Sequence, residues 1–359
     1  MNITTSILKH YNVETKFSTL KIIDDELNKG YRNVILILVD ALGNEIIEKH
    51  KDVCKNIISD RVDVLTSVFP PTTVAATTSI LTGKPPVNTG WIGWLQYIKE
   101  EDRSIIFFYN KDFYNNDYEP DYNVSERYAP IKKIYELIEE KNEDVITYEV
   151  FPEFREPEHK TFKDLLNKVK KHTEEDGKHF IYAYWDKVDT YLHSFGTESE
   201  KVHKHIEEVN NTYLSFINSL NEDTLVILTA DHGMIDIEEV PLWDYEDVVN
   251  TFEHNPSIEA RATAFFIKDG MKEQFEEAFN RNFREKFVLY KSEDFLASKI
   301  LGDAKEQTKI REFLGDYVSI AIDKYSFKLS NSDREFKGQH AGLTKEEVLI
   351  PLVIYSPKK

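Results

Sequence analysis

Residues 33–40, Asn-Val-Ile-Leu-Ile-Leu-Val-Asp, constrain the fold more than any other stretch of this chain. Six consecutive apolar residues, four of them β-branched, end in a carboxylate. Such a run reads as a strand covered on both faces, as in the middle of a parallel sheet. In open α/β sheets, ligands sit beyond the carboxyl ends of the strands. Asp40 stands at such an end, and Ala-Leu-Gly-Asn follows as a turn into a helix. Two roles fit Asp40 at this point: a cap for that helix, or a ligand in the crevice.

The rest of the chain repeats the pattern. Val62–Val68 is a second predicted strand, running into Phe69-Pro70-Pro71-Thr72-Thr73. A helix is expected from the Thr pair to Gly83, because proline favours helix starts and glycine favours ends. Further helices are expected over 19–28, 45–51, 130–141, 161–174 and 197–220, and strands over 144–150, 180–185 and 224–230. Alternating strands and helices indicate an α/β doubly wound parallel sheet. Residues 84–128 read as a loop-rich, aromatic-dense connection. From about Ile258 the texture changes, with a strand over 260–267 and helices over 271–287 and 306–314. This gives an expected division into a core of 1–257 and 332–359 and a small inserted α+β cap of 258–331. The closing strand, 348–354, carries Pro351, which suggests a sheet edge.

Composition limits the partners. The 359 residues suffice for one large α/β domain with an insertion, or for two domains. A net charge of −19 argues against nucleic acid polymers and anionic membranes. An anionic substrate would have to be drawn by local cations, and metal ions are one source. One cysteine, Cys54, allows no intrachain disulfide. No apolar run approaches membrane-spanning length, and the first residues lack a basic region followed by an apolar core. The expected location is cytoplasmic.

Several apolar strands end in potential ligands: Asp40, the Asp189/His193 pair, Asp231-His232, and the late His340. Oxygen and imidazole donors without thiolate suit zinc, manganese or iron. Asp189 and His193 are four apart, so one helical turn puts both on one face. Alone, each element has an ordinary explanation, a surface pair or a capped turn. Together, at strand termini, they indicate a metal site.

These pieces resemble the type I phosphodiesterase/nucleotide pyrophosphatase group of the alkaline phosphatase superfamily. The matching motifs are Val39-Asp40, Phe69-Pro-Pro-Thr-Thr through Leu81-Thr82-Gly83, Asp189-Thr-Tyr-Leu-His193-Ser-Phe-Gly196, Thr229-Ala-Asp-His-Gly-Met234 and His340-Ala-Gly-Leu-Thr344. The resemblance implies a three-layer α/β sandwich with a mainly parallel sheet. It implies one divalent metal held by Asp189, His193 and His340, and a second held by Asp40, Asp231, His232 and the nucleophile. Zinc is the first expectation for both, with manganese or iron as alternatives. The family nucleophile lies ten residues before the Gly of the Thr-Gly pair, which points to Thr73, with Thr72 as runner-up. The implied activity is hydrolysis of a small phosphate ester through a covalent phosphothreonine. A hydroxyl coordinated to a divalent cation becomes a competent nucleophile, and two metals about 4 Å apart can clamp an in-line displacement.

One departure separates this chain from nucleotide-cleaving relatives. They follow the nucleophile with Phe-Pro-Asn, whereas Thr73 is followed by Val74-Ala75-Ala76. The amide that contacts a phosphoryl oxygen is missing at Ala76 unless Thr77 or a backbone N–H replaces it. A phosphomonoesterase, phosphonate hydrolase or phosphomutase would use the same metals, and a non-catalytic metal-binding module is a further alternative. Sulfatases need a Cys/Ser-x-Pro-x-Arg setting that Cys54 lacks, and no Gly-x-Gly-x-x-Gly follows a predicted strand. Among other residues, Trp91, Trp94 and Tyr97 read as core or as an aromatic wall. His254 is a candidate substrate contact, and Asp186 a candidate partner orienting a ligand. His10, His50, His159, His172, His179, His203 and His205 are expected at the surface.

Overall fold

A computed structural model describes residues 1–115, 117–329 and 335–357. Its organising layer is a six-stranded sheet ordered Arg61–Thr66, Leu349–Tyr355, Thr224–Thr229, Asn33–Val39, Lys178–Trp185, Val145–Val150. Asn33–Val39 pairs in parallel with a neighbour on each side. All seven of its residues are buried. Alternation divides them between two cores. Ile35, Ile37 and Val39 pack with Phe162, Leu165, Ile206 and Val209 from helices on one face. Val34, Leu36 and Leu38 pack with Ile3, Ile7, Ile134 and Ile138 on the other. This is the expected three-layer α/β sandwich. Each fully buried aliphatic side chain of the run contributes about 1.5–3 kcal/mol.

A second sheet of seven strands, joined throughout by antiparallel pairs, lies beside the first: Phe287–Lys291, Tyr317–Ala321, Ala262–Ile267, Phe252–Ile258, Leu95–Ile98, Arg103–Ile106, Lys111–Asp112. The segment expected to be loop-rich therefore supplies three strands. The material of the expected cap shares its sheet with residues 95–112, and the cap's far boundary, at 331/332, lies outside the described residues.

Two other expectations change. Leu349–Tyr355 lies between two strands, not at an edge. It tolerates Pro351 because its ladder with Thr224–Thr229 begins only at Val353, so no bond on that side needs the missing N–H. The helix expected to reach 287 ends at Phe283. Phe275, Phe279, Phe283 and Phe287 keep a four-residue spacing, which reads as one helical face. Phe287 instead opens a strand and stacks on Phe327 with ring centroids 3.8 Å apart. Among the described residues no helix is long and apolar enough to cross a membrane.

At the carboxyl edge of the main sheet the backbone is close-packed. A Cβ on Gly233 would stand 2.0 Å from the Glu346 carbonyl oxygen, and one on Gly43 would stand 2.5 Å from the Gly233 Cα. These are backbone atoms that cannot rotate away. Gly233→Ala should therefore lower the free energy of unfolding by at least about 2 kcal/mol, read from urea denaturation. A variant within error of the parent would contradict this packing.

Candidate active site

Four segments converge beyond the carboxyl ends of the central strands. Asp40 follows Asn33–Val39, and its N–H donates to the Trp185 carbonyl at 2.8 Å. Asp231 and His232 follow Thr224–Thr229. Asp189 and His193 lie one turn apart in the Lys187–Phe195 helix. His340 arrives from the late chain.

All six expected ligands come together. His232 Nε2 stands 3.3 Å from Asp40 Oδ1 and 3.7 Å from Asp231 Oδ2. His193 Nε2 is 3.3 Å and His340 Nε2 4.0 Å from Asp189 Oδ1. The His232 and His340 rings stack at 3.9 Å, and the His193 and His340 rings lie 5.2 Å apart. Asp40, Asp231 and His232 carry ligand atoms within 4.8 Å of one another, and so do Asp189, His232 and His340. His232 is thus shared between the two groupings, while His193 approaches through Asp189.

The histidine tautomers suit metal binding. His232 Nδ1–H donates to the Gly233 carbonyl and His193 Nδ1–H to the Gly338 carbonyl, each at 2.8 Å. Nε2 of each ring is left as the donor lone pair, the usual arrangement for imidazole ligands. Asp40 Oδ1, Asp231 Oδ2 and His340 Nδ1 are buried without a hydrogen-bond partner. Buried polar atoms are rarely left so. Burial, followed by the charges of Asp231 and Asp189, pushes the Asp40 carboxyl well above the usual carboxylate range, although Tyr184 donates a hydrogen bond to it. Burial and the neighbouring His232 and His193 rings hold His340 well below the usual imidazole range, so it is neutral. A divalent cation would relieve the crowding of carboxylates and use the neutral ring. The donor set therefore fits divalent metal.

The two threonines are distinguished by their partners. Thr72 is the N-cap of the Thr73–Thr82 helix, yet its hydroxyl does not cap. It donates to Glu259 Oε1 at 2.5 Å. The Thr73 hydroxyl stands 3.4 Å from Asp40 Oδ2 and 3.3 Å from His232 Nε2. Thr77, a possible replacement for the missing amide, spends its hydroxyl proton on the Thr73 carbonyl at 2.5 Å. Ala76 is buried and offers no donor side chain.

The remaining candidates separate. Asp186 heads the Lys187–Phe195 helix with Oδ1 buried and without a hydrogen-bond partner, and its charge adds to those around Asp40. Trp91 is core, its Nε1–H bonded to the Ala129 carbonyl at 2.8 Å. Trp94 is half-buried and meets the exposed Tyr109 edge-on at 5.4 Å. His254 stacks on Tyr97 at 4.3 Å and pairs with Asp102 at 3.1 Å, partners within the second sheet's surroundings and not the ligand cluster. His50, His159, His172, His179 and His205, expected at the surface, are buried. They are tied to tertiary partners, as His179 Nδ1 is to Asn33 Oδ1 at 2.7 Å.

Two residues that carry no motif in the sequence border the site. Glu259 accepts from both the Thr72 hydroxyl and, at 2.7 Å, the Trp94 N–H. Arg261 is fully buried and forms a two-pronged pair with Glu347 at 2.7 and 2.9 Å. Glu-Ala-Arg-Ala before a strand resembles an ordinary polar turn, and both sets of partners are distant in sequence.

A sequence profile of the type I phosphodiesterase / nucleotide pyrophosphatase family matches residues 34–342. No curated protein matches the chain. Among solved structures, it is similar to murine ectonucleotide pyrophosphatase / phosphodiesterase 5, with 17% identity and a TM-score of 0.66 over 89% of this chain and 87% of that one. An inactive variant of the same murine protein, in complex with AMP, matches with 18% identity and a TM-score of 0.66 over 90% and 88%. Phosphonoacetate hydrolase from Sinorhizobium meliloti 1021, in complex with phosphonoformate, matches with 15% identity and a TM-score of 0.64 over 90% of each chain.

Burial raises the Glu259 carboxyl from 4.5 to about 7, against the lowering effect of its bonds from Thr72 and Trp94. The folded state then holds this proton more tightly than the unfolded chain. The resulting stability is complete below pH 4.5 and is lost as pH rises through about 7. Its size is about 3 kcal/mol. Urea unfolding of the wild type and Glu259→Gln across this window should show a flatter pH dependence in the variant. Equal slopes would remove Glu259 as the source.

Proposed function

The chain belongs to the type I phosphodiesterase / nucleotide pyrophosphatase family, and from that premise we propose that it is a two-metal phosphodiesterase forming a covalent phosphothreonine at Thr73. The substrate class is a small phosphate diester or pyrophosphate. The observation that carries this reading is the pair of buried, unpartnered carboxylate oxygens on Asp40 and Asp231 beside one alcohol, with the neutral His340 ring next to them. Asp40, Asp231, His232 and Thr73 would hold one divalent ion, and Asp189, His193 and His340 the other. Zinc suits these nitrogen and oxygen donors first, then manganese or iron. Bound there, the ions supply Lewis acidity that lowers the hydroxyl pKa and offsets phosphate charge.

The chain's own groups do the rest. Thr73 opens a ten-residue helix, where the N–H groups of Thr73, Val74 and Ala75 have no intrahelical acceptor. A phosphoryl group suits that position. Thr73 Oγ1 gives up its proton to solvent and forms its bond to phosphorus as the bond to the leaving oxygen breaks. The leaving oxygen takes a proton from water, and a second water then cleaves the phosphothreonine, returning the Thr73 hydroxyl and releasing the phosphoryl product. On a chain of net charge −19, this local positive field is what admits an anion.

A second reading is phosphonate hydrolysis. The donor missing at Ala76, with the Thr77 hydroxyl already committed, favours a substrate other than a nucleotide. Two of the three structures named above, one solved with AMP and one with phosphonoformate, mark the two directions. A panel of phosphodiesters, phosphomonoesters, nucleotide pyrophosphates and phosphonates separates them, and also detects a phosphomutase's lack of net hydrolysis.

With added zinc the purified protein should cleave a nitrophenyl phosphodiester. Thr73→Ala should lower kcat by at least ~10³-fold while its metal content stays at the wild-type value. Full activity in that variant would end the covalent reading. Chelation should lower the Tm of the wild type, since an ion bound only by the folded state stabilises it.

A further inference from the structure

One short turn of the second sheet reaches both halves of the site. Glu259 accepts the Thr72 hydroxyl and so holds the residue from which the nucleophile helix starts. Two residues on, Arg261 forks onto Glu347, and both side chains are fully buried. Arg261 also donates to the carbonyls of Tyr325 and, at 2.8 Å, of Asp323, which fixes its guanidinium.

Glu347 carries the connection onward. Its carboxylate accepts from the Gly342 N–H at 2.7 Å and from the Thr344 hydroxyl at 2.9 Å. Its carbonyl accepts from the Gly233 N–H at 2.8 Å, directly after Asp231-His232. The loop it holds contains His340 and, next to it, Ala341 at φ 86°. A residue with a Cβ persists in that region only where its surroundings over-determine it. Here they do. The Ala341 N–H is bonded to the Pro71 carbonyl at 3.0 Å, and the Gly342 N–H to Glu347. A Cβ on Gly342 would stand 2.6 Å from Glu347 Oε2 and 2.7 Å from an Arg261 nitrogen. The loop is seated directly on the ion pair.

We propose that the 259–261 turn is a brace, in which Arg261 through Glu347 and Glu259 through Thr72 are positioning residues that fix His340 and the Thr73 hydroxyl relative to one another. Neither residue touches the reacting atoms. Arg261 sets the loop that presents His340, and Glu259 sets the start of the helix that presents Thr73. The second sheet is thereby part of the site's geometry. The brace rests on the two-metal reading above.

The two arms predict different losses. Arg261→Lys keeps the charge and loses the fork. One of two zinc equivalents should then be held about 10–100-fold more weakly, measured by competition with a chromophoric chelator, with the other unchanged. Glu259→Ala should keep both zinc affinities and lower kcat about 10-fold with KM unchanged. Glu259→Gln, whose amide oxygen accepts the same two bonds, should restore kcat. A merely structural role would lower Tm in each variant without dividing zinc affinity from kcat. Should Arg261→Lys fail to fold, Arg261→Met combined with Glu347→Leu removes both charges from the interior and carries the same zinc measurement. A folded variant of either kind that holds two equivalents as tightly as the wild type overturns the brace alone. A wild type that binds no zinc, manganese or iron overturns the two-metal reading and the brace with it.

Discussion

Asp40 and Asp231 meet in the interior with the partly buried Asp189 close by, and the mutual repulsion of these carboxylates is the constraint on which the surrounding structure depends. Asp231 is fully buried and Asp40 nearly so. In a medium of low dielectric, each ionised carboxylate raises the cost of ionising the next. Fixed donors offset part of that cost: the N–H groups of Ala41 and His232 on Asp231 Oδ1, and the Tyr184 hydroxyl on Asp40. None of these supplies a full positive charge. Three acids and the neutral His340 ring are kept together under such conditions, a donor set that fits a divalent cation.

The main sheet makes this crowding geometrically possible. Parallel strands all deliver their carboxyl ends to one edge, so residues from distant parts of the chain arrive side by side. Asp40 and Asp231 are 191 residues apart, yet their strands are in register as direct neighbours, with Leu38 opposite Thr229. Close backbone packing at Gly43 and Gly233 then holds the two loops at fixed separation.

What the sequence disclosed and what it concealed follow from the range of the interactions involved. A buried strand ending in a ligand is a local pattern, and it survives in the one-dimensional record at Asp40 and at Asp231-His232. The helical spacing of Asp189 and His193 is equally local. Pro351 misled because edge character depends on which residues a partner strand reaches, and Thr224–Thr229 stops short of it. Phe287 misled because its four-residue spacing continues the preceding helix while its ring partner, Phe327, comes from another strand. Polarity alone points the histidines outward. Their burial is licensed by tertiary hydrogen bonds, such as His50 Nε2 to the Thr197 carbonyl at 2.8 Å.

Glu259 and Arg261 are the strongest case of this limit. As text they are two charges in a short turn, where exposure is the ordinary outcome. Only long-range partners reverse that: Thr72 for one, Glu347 for the other. A buried ion pair is weak support for stability, since desolvation offsets most of the attraction. Its persistence here is better explained by geometry. A fork held by two carbonyls and a carboxylate has few alternative poses, and the carboxylate spends its other lone pairs on the loop next to His340. Apolar residues of similar volume would fill the same space with comparable stability, but they could not direct the Gly342 and Thr344 donors. The pair is therefore suited to specifying where the loop that carries His340 stands.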